Sequence, residues 1–248
     1  MVEQKIIEVK DLSVAFEGKT ILSGVSFPVY SGIVTAILGG SGSGKTTVLR
    51  HILGLHPVEP GKITVLGKDI SVLDEDAQNS LYMKMGVFYQ NGGLLSSLTV
   101  GENVALPLEQ HTNLPYDIIS KIVKMKLSLV NLEHTYKMHP SQLSGGMFKR
   151  AALARAIVMD PLVLFCDEPG AGLDPVSLAS LDQLLLDLKK LMKMSIILVT
   201  HEVSSILRIA DRVIFLENAK VLLDGTLSDA LKSKNESIVN FFDKGKGK

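Results

Sequence analysis

A single cysteine, Cys166, in a chain of 248 residues excludes an internal disulfide and fits a reducing compartment. No apolar run approaches the ~18–20 residues that a spanning helix needs, so any membrane role is expected to come through a partner. The first ten residues alternate charged with apolar side chains and contain no long apolar core, so no signal peptide is expected. Charge is balanced at 26 Lys+Arg against 26 Asp+Glu. Nothing global therefore points to nucleic acid, which favours a strongly basic face. At 46% hydrophobic and 21% charged, the chain can bury a sizeable core as one large domain or two small ones.

What is present begins with Gly39-Gly40-Ser41-Gly42-Ser43-Gly44-Lys45-Thr46. It fits G-x-x-x-x-G-K-[ST], with a buried-strand pattern at 33–38 before it and a helical pattern at 47–53 after it. Strand, loop, Lys-Thr pair and helix in register favour a phosphate-binding loop over a chance Gly/Ser turn. Glycines let the backbone bring several N–H groups to one anion, and the helix N-terminus adds a favourable dipole. Lys45 would reach the β- and γ-phosphates, and the Thr46 hydroxyl would sit on Mg²⁺.

Before this loop, residues 6–16 and 21–30 read as an antiparallel pair turning at Glu17-Gly18-Lys19, the second strand carrying Pro28. Phe16, just before the turn, is either a stacking surface for adenine or an ordinary strand-end aromatic. After a breaker-rich loop at 54–61, short strands at 62–67 and 68–70 suggest a small β-layer. Residues 85–89 form another buried strand. Gln90 ends it, placed either to touch a metal and the attacking water or simply as a solvated strand end.

Between 99 and 140 the pattern turns helical, at 100–108 and 117–130, punctuated by Pro107, Pro115 and Pro140. Lys121, Lys124 and Lys126 read as its solvated face, since no aromatics interleave with them. Leu143-Ser144-Gly145-Gly146-Met147 then opens a helical run at 148–159. Ser144 can act as an N-cap, but two consecutive glycines weaken a helix start and favour a second anion site.

An apolar strand at 162–166 delivers Asp167-Glu168-Pro169 to its C-terminal end. P-loop proteins hold Mg²⁺ with such an acid, and the adjacent Glu168 can take a proton from water. Pro169 is expected to restrict Glu168 to extended backbone. Cys166 reads as a small buried hydrophobe. Gly170-Ala171-Gly172-Leu173-Asp174-Pro175 turns into an amphipathic helix at 176–192, and an apolar strand at 195–200 ends in His201-Glu202. His201 shares the C-terminal edge of the sheet with Lys45 and Asp167, whereas His111 and His134 read as surface or packing residues. Strands at 212–216 and 220–223 follow, and the basic tail at 241–248 is expected to be disordered.

Together these stretches resemble the ATP-binding cassette ATPases over nearly the whole chain. Leu143-Ser-Gly-Gly followed by Asp167-Glu168, Gly172-Leu-Asp174 and His201 carries the resemblance. It implies an α/β fold: a P-loop NTPase core of mostly parallel sheet with helices on both faces, an antiparallel β-subdomain and an inserted α-helical subdomain. The expected domain spans 1–240, with core segments 1–98 and 160–235 and the insertion at 99–159. The resemblance further implies ATP and Mg²⁺, with each ATP sandwiched in a head-to-tail dimer. Phe16 would stack adenine, and Gly39 to Thr47 would hold the phosphates. Gln90 would sense Mg²⁺ and water, Asp167 would hold the metal with Thr46, Glu168 would be the general base, and His201 would contact the γ-phosphate. Ser144, Gly145, Gly146, Met147 and Asp174 would reach the nucleotide of the second subunit.

Phe16 stands where Tyr is common in that family, Met147 where Gln is common, and Gly170-Ala171 where Thr-Ser is usual; none removes a group the chemistry needs. The stretch 90–108, Glu109 to Pro115 after it, and Leu-Ser-Gly-Gly-Met147 are similar to the cassettes of MCE-linked phospholipid transporters, the Mla type. That similarity implies a motor on the cytoplasmic face of the bacterial inner membrane, under a permease whose coupling helix docks near 91–108. It also implies an MCE-domain lipid-binding protein in the complex and admits a small STAS-type accessory subunit. An importer or lipoprotein-release cassette is the alternative among transporters. Cassettes of DNA repair or ribosome work usually carry a second cassette, a coiled-coil insertion or basic extensions, none visible here. A P-loop kinase or a GTPase switch is disfavoured by the Leu143-Ser-Gly-Gly loop and by the absence of an Asn/Thr-Lys-x-Asp sequence.

Overall fold

The structure, a computed structural model, describes residues 4–245. In chain order these form β1 (Lys5–Phe16), β2 (Lys19–Tyr30), β3 (Val34–Leu38), α1 (Lys45–Ile52), β4 (Ile63–Val65), β5 (Lys68–Asp69), α2 (Glu75–Tyr82) and β6 (Met85–Phe88). There follow α3 (Val100–His111), α4 (Tyr116–Leu129), α5 (Gly145–Ala156), β7 (Val163–Asp167), α6 (Pro175–Met192) and β8 (Ser195–Val199). The chain ends with α7 (Val203–Ile209), β9 (Arg212–Glu217), β10 (Lys220–Thr226), α8 (Leu227–Leu231) and α9 (Glu236–Gly245). Contacts divide it into two compact units: residues up to Leu81 with those from Ser195 onward, and Tyr82–Met194. The anticipated insertion at 99–159 thus belongs to a larger unit, because α5 packs on β6 and on α6.

The first unit contains an antiparallel sheet in the order β2-β1-β4-β5. Its β1–β2 hairpin closes through Glu17 and Gly18, both at positive φ, so that Phe16 pairs with Lys19. Pro28 is tolerated because β2 lies at the edge. The second set of strands centres on β3, parallel to β8 on one side and β9 on the other, with β10 antiparallel to β9. All residues of β3 and β8 are buried, as continuous apolar runs in a parallel sheet require, whereas β10 alternates. The starts of these strands are pinned: Val34 N–H donates to the Asp211 carboxylate at 2.8 Å, and Gly32 N–H to Ser195 Oγ at 2.8 Å.

The tail differs from expectation. Residues 241–245 are helical in α9, because Phe242 is buried against Phe215 and Ile238, and Phe241 meets Phe215 edge-on at 5.4 Å. Residues 246–248 lie outside those described.

In the second unit β6 runs parallel to β7, with Phe88 opposite Cys166. The helix α3 starts with a capping box: Thr99 Oγ1 accepts from Glu102 N–H, and Thr99 N–H donates to the Glu102 carboxylate. Buried Asn103 donates to the carbonyls of Leu95, Leu98 and Thr99 and accepts from Leu95 N–H, bracing the approach to this helix. Pro107 lies inside α3 rather than ending it. Lys126 does not join a solvated face: it is 1% exposed, and its ammonium donates to Asp160 at 2.5 Å. Lys121 does face solvent, 3.8 Å from Asp117. Among the described residues no helix is long and apolar enough to cross a membrane.

Candidate active site

The register of β3 positions the first group of residues. Ile37 pairs with Val199, so the loops that begin at Gly39 and Thr200 leave adjacent parallel strands at one edge, as ligand loops do in such sheets. His201, exposed, is thereby carried to the edge of the sheet where the phosphate loop starts. Gly39 has φ 143, and a Cβ there would lie 2.2 Å from the carbonyl oxygen of Leu216. The loop then closes through a hydrogen bond from Ser43 N–H to the Gly40 carbonyl at 3.2 Å. Lys45 Nζ donates to the carbonyls of Gly39 and Gly40, both at 2.9 Å, so its ammonium lies over the loop.

Gly44 begins α1 without a side-chain cap. The first N–H groups of a helix have no intrahelical acceptor, which leaves Lys45, Thr46 and Thr47 pointing donors out of its start. Ser43 Oγ is buried and has no hydrogen-bond partner among the described residues. An uncapped glycine start, an ammonium held over the loop and an unpartnered hydroxyl fit a phosphate group. Ser41 and Gly42 complete the loop, both exposed.

Phe16 is 69% exposed, an unusual position for a large aromatic. It lines a cavity of about 800 Å³ that also takes in Ile21, Thr47, Arg50 and His51. Ring and phosphate-loop helix therefore border one space within the first unit. His51 is buried there, its Nδ1 2.7 Å from the Thr47 carbonyl, as a packing residue.

In the second unit, pairing of Phe88 with Cys166 brings Gln90 and Glu168 to the same ends of adjacent parallel strands. The first four residues of β7 are buried, and Asp167 and Glu168 emerge half-buried. Burial pushes the Cys166 thiol pKa well up, so it stays a neutral hydrophobe. Glu168 is not extended: its φ is +46. A turn replaces the expected conformation, with Ala171 N–H donating to the Glu168 carbonyl at 3.1 Å across Pro169 and Gly170. The left-handed backbone costs on the order of 1 kcal/mol, and such strain clusters at functional sites.

Ser144 caps α5, its Oγ accepting from Met147 N–H at 3.3 Å. The capping reading of Ser144 is therefore realised. Yet a Cβ on Gly145 would meet nothing within 4 Å, and one on Gly146 only Ser177 Oγ at 3.9 Å. Packing within this chain asks for neither glycine. Asp174 caps α6, accepting from Val176 N–H and Ser177 N–H at 3.0 Å and from Ser177 Oγ at 2.5 Å. The Ser177 hydroxyl is the main cause holding its carboxyl below the usual aspartate range.

Two cations escaped the sequence reading. Lys149 donates to the Gln90 carbonyl, and Arg155 donates to the carbonyls of Gly92 and Gly93 at 2.7 Å each. Their only sequence signal was the presence of charge on an alanine-rich helix.

The ABC transporter family model matches residues 22–171. The intermembrane phospholipid transport system ATP-binding protein MlaF of Haemophilus influenzae is 39% identical over 96% of this chain and 90% of its own length. The methionine import ATP-binding protein MetN of Haemophilus ducreyi is 37% identical over 96% of this chain and 70% of its own. Among solved structures, cbiO1 from Clostridium perfringens, part of the ABC transporter complex cbiONQ, superposes with a TM-score of 0.85 and 31% identity, covering 94% of this chain and 92% of that one. A dimeric ATP-binding cassette in a post-hydrolysis state with ADP and Pi gives 0.79 at 28% identity, over 89% of this chain and 98% of that one. Motifs, fold and relatives agree, and this chain belongs to the ABC transporter family as an ATP-binding, ATP-hydrolysing subunit.

Proposed function

We propose that this ATPase drives phospholipid movement in an MCE-linked transporter of the bacterial inner membrane, bound to the cytoplasmic side of a permease. The observation that carries the lipid reading is the 39% identity to a phospholipid-transport ATPase over nearly the full length of both chains. MetN, at 37%, supports the second reading, a small-solute importer.

In this reading ATP lies between the phosphate loop of one copy and the Ser144 loop of another. Support for the shared site comes from the open space around Gly145, which leaves room for a phosphate to approach the α5 N-terminus. Met147 and Asp174 would flank that contact. Phe16 offers its exposed ring to the base, and the N–H groups from Gly40 to Thr47 with the Lys45 ammonium hold the phosphates. Mg²⁺ would be held by the Thr46 hydroxyl, the Gln90 amide oxygen and the Asp167 carboxylate, hard oxygen donors whose single charge would leave positions for phosphate oxygens. When bound, Mg²⁺ would neutralise charge on the β- and γ-phosphates. Glu168 takes the proton of the attacking water, and His201 donates to the γ-phosphate.

Purification of the chain with its membrane complex in mild detergent, followed by mass spectrometry of proteins and lipids, tests the lipid reading. An MCE-domain protein and bound phospholipid are expected. Recovery of a sugar or amino-acid permease without an MCE protein would sink it.

A further inference from the structure

After β6 the chain turns through residues 89–93, and this turn is pressed onto one face of α5. Phe148, Lys149, Ala152 and Arg155 share that face at three- and four-residue spacings. Gly92 has φ +65, and a Cβ on it would lie 2.6 Å from Phe148 Cε1 and 3.1 Å from Ala152 Cβ. No larger residue fits so close an approach. Three carbonyls of the turn, those of Gln90, Gly92 and Gly93, are then taken by α5 cations. The Lys149 ammonium donates to the Gln90 carbonyl and lies 5.9 Å from the Phe88 ring centre. The Arg155 guanidinium spans two carbonyls, Nη2 to Gly92 and Nη1 to Gly93, each at 2.7 Å.

These are charge-assisted bonds made by a buried ammonium, Lys149 being 8% exposed, and a half-buried guanidinium. Such cations are held only where acceptors meet them, and the carbonyls lose the most if the donors leave. The arrangement is thus a two-cation clamp with a glycine seat beneath it. The clamped helix is the one that Ser144 begins, and the clamped turn is the one that bears Gln90.

We propose that Lys149 and Arg155 are positioning residues that make the Gln90 turn move as one body with α5. The Gln90 side chain then follows the position of the Ser144 end of the same helix. Contact of that end with a nucleotide is read out at Gln90 through rigid backbone. What Gln90 does once placed rests on the ATPase site assigned under Proposed function; the clamp itself rests on the distances above.

Hydrogen exchange and steady-state hydrolysis on the full chain test this with Lys149→Met, Arg155→Met, Arg155→Lys and Gly92→Ala. In Lys149→Met and Arg155→Met, amides of residues 90–95 should exchange about tenfold faster or more, while those of β7 and α6 keep their rates. The kcat should fall about tenfold with KM for ATP within about twofold, because the phosphate loop is untouched. Arg155→Lys should fall between, since one ammonium cannot bridge two carbonyls. Gly92→Ala, which lifts the turn while leaving both cations, should reproduce the loss. Unchanged exchange at 90–95 in folded variants, unchanged kcat, or equal acceleration throughout the second unit would each overturn the proposal. If the wild-type chain fails to hydrolyse ATP, the site assignment fails, and the local exchange result still decides the clamp.

Discussion

A side chain on Gly39 would collide with the carbonyl oxygen of Leu216, 2.2 Å from the added Cβ. The obstacle is backbone and cannot rotate away, and φ 143 is itself a glycine conformation. Gly39→Ala should cost about 1–3 kcal/mol and abolish nucleotide binding, since the loop must shift to relieve the clash. Gly40→Ala, whose Cβ meets nothing within 4 Å, should leave the thermal midpoint nearly unchanged. Thermal melts with fluorescent-nucleotide titration separate the two.

Glu168→Gln retains the shape and the +46 backbone but cannot accept the proton of water. It should bind ATP and lose hydrolysis about 10²–10⁴-fold. Undiminished phosphate release would assign the base elsewhere.

Lys45→Ala removes the ammonium bonded over the phosphate loop and should cripple ATP binding. Ser144→Arg should spare binding to the isolated chain while blocking ATP-dependent dimerisation and turnover. Size-exclusion chromatography with ATP in the Glu168→Gln background reads the dimer; normal hydrolysis by Ser144→Arg would reject the shared site.

The α6 cap should be pH-sensitive. Asp174 has a folded pKa below its unfolded value, chiefly through the Ser177 hydroxyl, so its stabilisation is present above the ordinary aspartate range and is lost as pH falls through the depressed pKa. Asp174→Ala should lower Tm by about 2–4 °C at neutral pH and flatten its acid dependence. Asp174→Asn keeps a capping oxygen without the titration, and should recover Tm at neutral pH but not the acid slope.

Removal of Asp160 leaves the buried Lys126 ammonium without its acceptor, and should cost about 1–3 kcal/mol. Lys126→Met removes the charge with the problem and should cost less. Urea denaturation of both single variants and the double variant checks the order.

Much of the candidate site was legible because its signals are local. The phosphate loop needs glycines and a lysine at set offsets between a strand and a helix, and β3 and α1 form around it within a residue or two of the expected bounds. Asp167-Glu168 at the end of an apolar strand and Ser144 at the start of a helix are also contiguous patterns. The helices α2, α7 and α8 were missed, each being eight residues or shorter and too brief for a periodicity to register.

Local chemistry alone thus pointed to a phosphate-binding loop, an acid pair delivered by a buried strand and a second glycine-rich helix start. Folding settled what depends on distant partners. Pro169 by itself favours extended backbone at Glu168, but the turn closed by Ala171 sets it at φ +46. Lys126 looks like a surface lysine until Asp160, thirty-four positions on, reaches it. The tail appears unstructured until Phe242 finds Phe215 and Ile238. Lys149 and Arg155 show their part only when the turn after β6, about sixty residues earlier, lies against them. In each case the deciding energy is a desolvated charge, a turn bond or a buried ring, and such terms exist only once the chain brings both partners together.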